Sequence, residues 1–280
     1  MPRNVSVVDP VSKFTFTDLS NLFRSLDFDG TTDLLMIVNT TDGFMLEVHY
    51  NKHVNVGEAL CQSFPSFPYD FRMGAGSYIQ RITLPGKLLN SSSMSVGDAN
   101  SDGYPDLLTL LMDSSNDTRA YLLINELCAV DDLNCSSYNE EFAKNYTGKL
   151  RTLKYDAAIG DPITTIAAAV VSASFTDIAF DGRLDIIVNA RATNGSNSLL
   201  GIINNLKEDT FFIKALPLTS FSSEDDGRLV NSFGITFQWK ITSLESQYLN
   251  SVASQLTQQT GRALQLPFVC TGLGRTNNYL

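Results

Sequence analysis

Asp98-Ala-Asn-Ser-Asp-Gly-Tyr-Pro-Asp-Leu-Leu-Thr-Leu-Leu111 decides how this chain reads, because its first nine residues recur twice in altered form. The other copies are Ser25-Leu-Asp-Phe-Asp-Gly-Thr-Thr-Asp33 and Asp177-Ile-Ala-Phe-Asp-Gly-Arg-Leu-Asp185. Each ends on Asp-Gly-x-x-Asp, a pattern for which roughly 0.1 copy is expected by chance at this composition. Three copies mark an internal repeat, with the closing aspartates 73 and 79 residues apart.

The chemistry of the repeat is that of a hard cation. Calcium takes six to eight oxygens at about 2.3–2.6 Å, and oxygens at alternate positions of a tight loop can all turn inward. Glycine at position 6 permits the bend, because it tolerates backbone angles that a Cβ forbids. The expected ligands of the middle loop are Asp98, Asn100, Asp102, the Tyr104 carbonyl and Asp106. Those of the first are Ser25, Asp27, Asp29, the Thr31 carbonyl and Asp33; those of the third are Asp177, Asp181, the Arg183 carbonyl and Asp185. Ala179 removes one oxygen from the third loop, so the middle site is expected to bind tightest and the third to lean on water. A plain Asp-Gly turn explains the glycine but not the acidic residues found at two of positions 1, 3 and 9 in every loop. An EF-hand needs flanking helices and a glutamate at position 12; here position 12 of the middle loop is Thr109.

The residues after each loop are strand formers. Leu34–Val38, Leu107–Leu111 and Ile186–Val188 are short apolar runs bounded by turn residues. Polar turns at 39–43, 113–117 and 192–196 lead to further strands at Phe44–His49, Ala120–Asn125 and Leu199–Asn204. Several strands per unit at a fixed period is the pattern of a β-propeller blade. The units exceed the usual blade length, so segments 57–80 and 126–160 are expected insertions. Beyond about residue 212 the pattern changes. Ser232–Thr242 alternates like a half-buried strand, Leu249–Gly261 is polar, and Ala263–Val269 is a last apolar run. The expected fold is all-β: about three propeller blades over 1–212, then part of a smaller β-domain over 213–280.

With 280 residues, 43% of them hydrophobic, the chain can bury a sizeable core. Its net charge of −10 repels the phosphates of nucleic acid. The loops hold much of that charge, and clustered carboxylates repel unless a cation joins them. The first ten residues have no apolar signal-peptide core and no stretch is long enough to span a membrane. Other features point outside the cell. Asn-x-Ser/Thr acceptors occur at Asn4, Asn39, Asn90, Asn116, Asn134, Asn145 and Asn194, against about four expected by chance. Of the four cysteines, Cys128 and Cys135 are spaced as a disulfide-closed surface hairpin, a bond contributing about 2.5 kcal/mol. Cys61 and Cys270 form the remaining pair under that assignment, one of three possible connectivities.

Signs of catalysis are few. His49 and His53, the only histidines, have neighbours that favour strand, and no third ligand stands near them in sequence. There is no Gly-x-Ser-x-Gly elbow, and Gly272-Leu-Gly274 lacks the third glycine of a phosphate fingerprint.

The three loops resemble FG-GAP repeats, the blades of the integrin α-chain head. Gln255–Val269 and Gly272–Asn278 are similar to the membrane-proximal part of the T-cell immunomodulatory protein family. That resemblance implies an FG-GAP propeller followed by a β-sandwich-like domain in a type I glycoprotein of the cell surface, with a soluble form that modulates T-cell responses. The implied partner is a cell-surface or extracellular protein, and membrane attachment comes through a helix that this sequence lacks. Without leader, anchor or enough blades to close a ring, the sequence reads as a fragment, its open strand edges prone to aggregation. Two functions are consistent with these features: a non-enzymatic, calcium-stabilised interaction module, or the regulatory propeller of a secreted hydrolase such as a phospholipase. The second needs a histidine-rich catalytic domain that two histidines cannot build.

Overall fold

The computed structural model describes residues 22–24, 26, 33–49, 79–89, 93–128, 151–155, 169–192, 194–205, 210–220, 229–232, 235–242, 248–255 and 263–274. Every regular element among them is a strand, so the fold is all-β. The first unit contributes β1 (Leu22–Arg24), β2 (Asp33–Thr40), β3 (Gly43–His49) and β4 (Ile79–Ile82), each antiparallel to the one before. A short β5 (Lys87–Leu88) comes next. The second unit repeats the meander with β6 (Met94–Gly97), β7 (Asp106–Met112), β8 (Thr118–Leu127) and β9 (Arg151–Tyr155). The third has β10 (Ala169–Thr176), β11 (Asp185–Arg191) and β12 (Asn197–Ile202).

The apolar runs after the acidic loops are the second strands of their units, as their sequence requires. One feature departs from separate blades. Leu88 pairs with Phe44 of β3 and with Leu111 of β7, which joins the first two units into one curled nine-stranded sheet. The expected insertion 126–160 also contains a strand: β9 lies within it and extends the sheet from β8, with Leu123 opposite Tyr155. The fourth strands β4 and β9 thus come after long connections rather than at a fixed offset.

Burial explains the composition of β7. Leu107 and Leu111 face a core shared with Leu35, Leu46 and Val48 of the first unit. Leu108 and Leu110 face a second core shared with Val170, Phe175 and Val188 of the third. The middle sheet is covered on both sides, so its strands read as continuous apolar runs instead of alternating ones. Gly97, at the end of β6, lets the third unit close in. A Cβ there would lie 2.4 Å from a Leu184 methyl and 2.9 Å from the Phe175 ring. The outer strand β12 is mostly exposed, with Leu199 at 73%.

After the third unit come β13 (Phe211–Ala215), β14 (Leu218–Ser220), β15 (Leu229–Asn231), β16 (Thr236–Thr242), β17 (Tyr248–Ser254) and β18 (Val269–Gly274). They pair as β13 with β18, β14 with β15 and β16 with β17. The expected domain boundary at 212/213 falls inside β13. Of the polar segment Leu249–Gly261, the part up to Ser254 is strand, because β17 pairs along its whole length with β16, Trp239 opposite Ser251; residues 256–261 lie outside the described residues. The disulfide expected between Cys61 and Cys270 is not formed: Cys270 is a free, buried thiol inside β18. Cys128, just after β8, takes part in a disulfide whose other half lies outside the described residues.

Candidate functional site

The second and third acidic loops have the same backbone. Gly103 and Gly182, at position 6 of each, take φ of 93° and 80°, the left-handed region that glycine permits. Position 4 is left-handed too, at Ser101 (φ 58°) and Phe180 (φ 55°), where a side chain makes that conformation costly. The side chain at position 1 organises this bend. Asp98 Oδ1 accepts the Asp102 amide at 3.1 Å and its Oδ2 accepts the Gly103 amide at 2.8 Å. Asp177 does the same for Asp181 at 3.1 Å and Gly182 at 3.3 Å. Position 5 then caps position 7: Asp102 accepts the Tyr104 amide and Asp181 the Arg183 amide.

The closing aspartate does a different job. Asp106 Oδ2 accepts the Ala99 amide at 2.8 Å, and Asp185 Oδ2 accepts the Ile178 amide at 2.7 Å. Asp33 accepts the Leu26 amide at 2.7 Å, which extends the same contact to the first loop. In each case position 9 binds position 2, so the loop is pinned across its base. Of the remaining first-loop residues, Ser25, Asp27, Asp29 and Thr31 lie outside the described residues.

Two asparagines carry a unit-to-unit contact that the repeat motif alone does not announce. Asn125 and Asn204 each sit 19 residues after the closing aspartate, and each donates its backbone amide to that aspartate's Oδ1 at 2.8 Å. Their side-chain amides reach back to the preceding unit. Asn125 Nδ2 donates to the Leu26 carbonyl, and Asn204 Nδ2 to the Ala99 carbonyl, both at 2.8 Å. Leu26 and Ala99 are position 2 of their own loops, so both of these pinned loop bases are also docking points for the next unit. The signal was in the repeat alignment, at a constant offset.

β18 closes over the two loops. The Gly272 amide donates to Asp98 Oδ2 at 2.6 Å, and Thr271 Oγ1 donates to the same oxygen at 3.4 Å. A Cβ on Gly272 would come 2.1 Å from the Ser101 carbonyl oxygen, so only glycine fits. Over the third loop, Cys270 Sγ donates to the Gly182 carbonyl at 3.3 Å, and Lys214 Nζ pairs with Asp177 Oδ2 at 2.9 Å. Burial holds the Cys270 thiol up at about 12, so it stays protonated.

Electrostatics separate inner from outer carboxylates. Burial, with Asp102 nearby, raises Asp98 to about 7. Burial and the Asp98 charge push Asp106 well above the usual carboxylate range. Asp102 is exposed at the loop mouth, with Asn100 Nδ2 donating to its Oδ2 at 3.2 Å. The donors of the middle loop are hard oxygens throughout, the set calcium prefers, and its buried like charges favour a cation. Among the described residues, however, no three Asp, Glu, His or Cys side chains converge as a metal centre; both oxygens of Asp98 and of Asp106 accept backbone amides. Each of these oxygens except Asp98 Oδ2, which also accepts the Gly272 amide, keeps a further lone pair for a cation. The third loop lacks the position-3 oxygen and already has an ammonium on Asp177. Calcium therefore fits the donor chemistry of the middle loop, and not that of the third.

Of the expected glycan acceptors, Asn116 and Asn194 lie exposed in the turns before β8 and β12. Asn39 is in β2, while Asn4, Asn90, Asn134 and Asn145 lie outside the described residues, as do Cys135 and His53. His49 ends β3. No helix among the described residues is long and apolar enough to cross a membrane.

The sequence has known relatives. Residues 228–280 match the family model described as ITFG1, C2 domain. The chain is 33% identical to the T-cell immunomodulatory protein of Rattus norvegicus over 195 residues, 67% of this chain and 30% of that protein. The Homo sapiens protein of the same name is 31% identical over 67% of the chain and 29% of its own length. Protein linkin of Caenorhabditis elegans is 25% identical over 66% of the chain and 30% of its length. The matched segment thus spans less than a third of each of these relatives. No solved structure matches the chain significantly.

Proposed function

Starting from a chain that is a relative of the T-cell immunomodulatory proteins, we propose that it is a non-enzymatic interaction module built from FG-GAP propeller blades and stabilised by calcium at its middle acidic loop. Each unit is one blade in this reading, and the C-terminal strands belong to a β-sandwich-like domain. The observation that carries it is the Asp98 carboxylate: buried, raised to about 7 by burial and by Asp102, and lying beside a loop mouth lined with oxygens. A calcium ion held by Asp98, Asn100, Asp102 and the Tyr104 carbonyl would relieve that repulsion and fix the corner between β6 and β7. A bound cation adds stability that grows with its concentration over Kd.

The same reading puts the protein outside the cell or on its surface, where calcium is abundant enough to fill loop sites of modest affinity. Asn116 and Asn194 are open to glycosylation there, and Cys135 is the natural partner for Cys128. The binding partner in this reading is a cell-surface or extracellular protein.

Thermal unfolding of the full chain in calcium and in chelator tests the proposal. The melting temperature should rise with calcium, and Asp98→Asn should abolish the rise. Identical melting curves for the wild type in both solutions would overturn the calcium reading. Capture of a membrane protein from cell-surface extracts in calcium, but not in chelator, tests the interaction reading; turnover of a lipid or ester substrate would count against it.

A further inference from the structure

The second and third loops share a backbone, yet they meet the returning chain with different chemistry. At the second, the contact is a backbone amide: Gly272 donates to Asp98 Oδ2. At the third, the equivalent oxygen, Asp177 Oδ2, receives the ammonium of Lys214 at 2.9 Å. The Asp177 side chain is 1% exposed and that of Lys214 31%, so the carboxylate is sealed while the lysine stem reaches in from the rim. The ammonium also lies 4.0 Å from the centroid of the Phe268 ring and 5.6 Å from that of Phe180. Aromatic faces attract a cation and hold it in place. Position 3, an asparagine in the second loop, is Ala179 here and offers no side-chain oxygen.

We infer that Lys214 is the resident cation of the third loop, a tethered ammonium that stands where a metal would and excludes calcium from it. The inference rests on the reading of these loops as cation sites and assigns the third to the protein's own charge. A calcium ion at Asp177 would have to displace the lysine, leave it unpaired beside a divalent charge, and find a substitute for the missing oxygen. The tether also makes the ammonium's local concentration high and constant, as for any linked ligand. Chelator removes metal from the second loop; it cannot remove Lys214 from the third. The third unit, with the strand pair β13–β18 that carries the lysine and Cys270, therefore keeps its closed form whatever the calcium level.

Calorimetric titration of the full chain with calcium chloride, paired with thermal unfolding in calcium and in chelator, tests this. Asp177→Asn should bind as many calcium ions as the wild type and should lose the same number of degrees in both solutions. Loss of one bound ion, or of part of the calcium-dependent rise, would overturn the inference. Lys214→Met should melt several degrees lower in chelator, because it strands a buried carboxylate. Adding Asp177→Asn to it should recover part of that loss, and strictly additive losses would count against the pairing. If Lys214→Met fails to fold, the Asp177→Asn titration decides alone. A wild type that binds no calcium sinks the reading of the second loop, whereas the recovery in the double variant still reports on the third.

Discussion

The side-chain amide of Asn204 donates to the backbone carbonyl of Ala99, 105 residues earlier, at 2.8 Å. Asn125 makes the same bond to Leu26 over 99 residues. Each asparagine also donates to a carbonyl in its own unit, Leu184 or Pro105, at 3.2 Å. One side chain thus ties the base of a loop to the loop of the unit before it.

Replacing Asn125 with alanine removes the donor from two carbonyls at a site only 2% exposed. A buried polar group left without a partner costs about 1–3 kcal/mol, which lowers Tm by roughly 2–12 °C in a chain of this size. Asn204→Ala, at a part-buried site, should cost less. Differential scanning calorimetry of both variants checks the order.

The pH dependence stems from Asp98, whose carboxyl is raised to about 7 in the fold against about 3.9 unfolded. A raised value means that the fold prefers the protonated form. In chelator, this contribution to stability is complete below pH about 4 and is lost as pH rises towards 7. Calcium, by favouring the ionised carboxylate, should flatten or reverse the slope. Denaturant unfolding at a series of pH values between these limits, with and without calcium, reads it directly; a slope of the opposite sign in chelator would contradict the assignment.

Gly272→Ala places a methyl against the Ser101 backbone, where nothing flexible can yield. β18 must shift, and the hydrogen bond that the Gly272 amide donates to Asp98 lengthens or breaks. The expected loss exceeds about 2 kcal/mol, within the range of forced overpacking. Hydrogen exchange should show Val269–Gly274 losing protection before the sheet of the first two units does.

Cys270 should resist alkylation in the native chain, because its thiol is buried and held up at about 12. Only the thiolate reacts. Iodoacetamide labelling and mass spectrometry should find Cys270 modified in denaturant and spared in buffer.

The loops and the strands beside them were legible because their determinants are local. Gly103 and Gly182 sit where a left-handed bend is needed, and the apolar runs after Asp106 and Asp185 are buried strands. β4 and β9 were hidden because their pairing partners are set by tertiary packing after connections of variable length. β17, with Asn250, Ser251 and Ser254, does not look like a strand; its backbone pairing with β16 makes it one. Ionic partners were the least legible. Nothing near Lys214 in sequence points to Asp177, 37 residues earlier, and only the docking of β13 against β18 brings the two together.

The bond from Gly272 to Asp98 joins positions 174 residues apart. During synthesis, the middle corner is therefore finished only after β18 has left the ribosome. Until then Asp98 has the amides of its own loop but not that of Gly272, and contacts so distant along a chain form slowly.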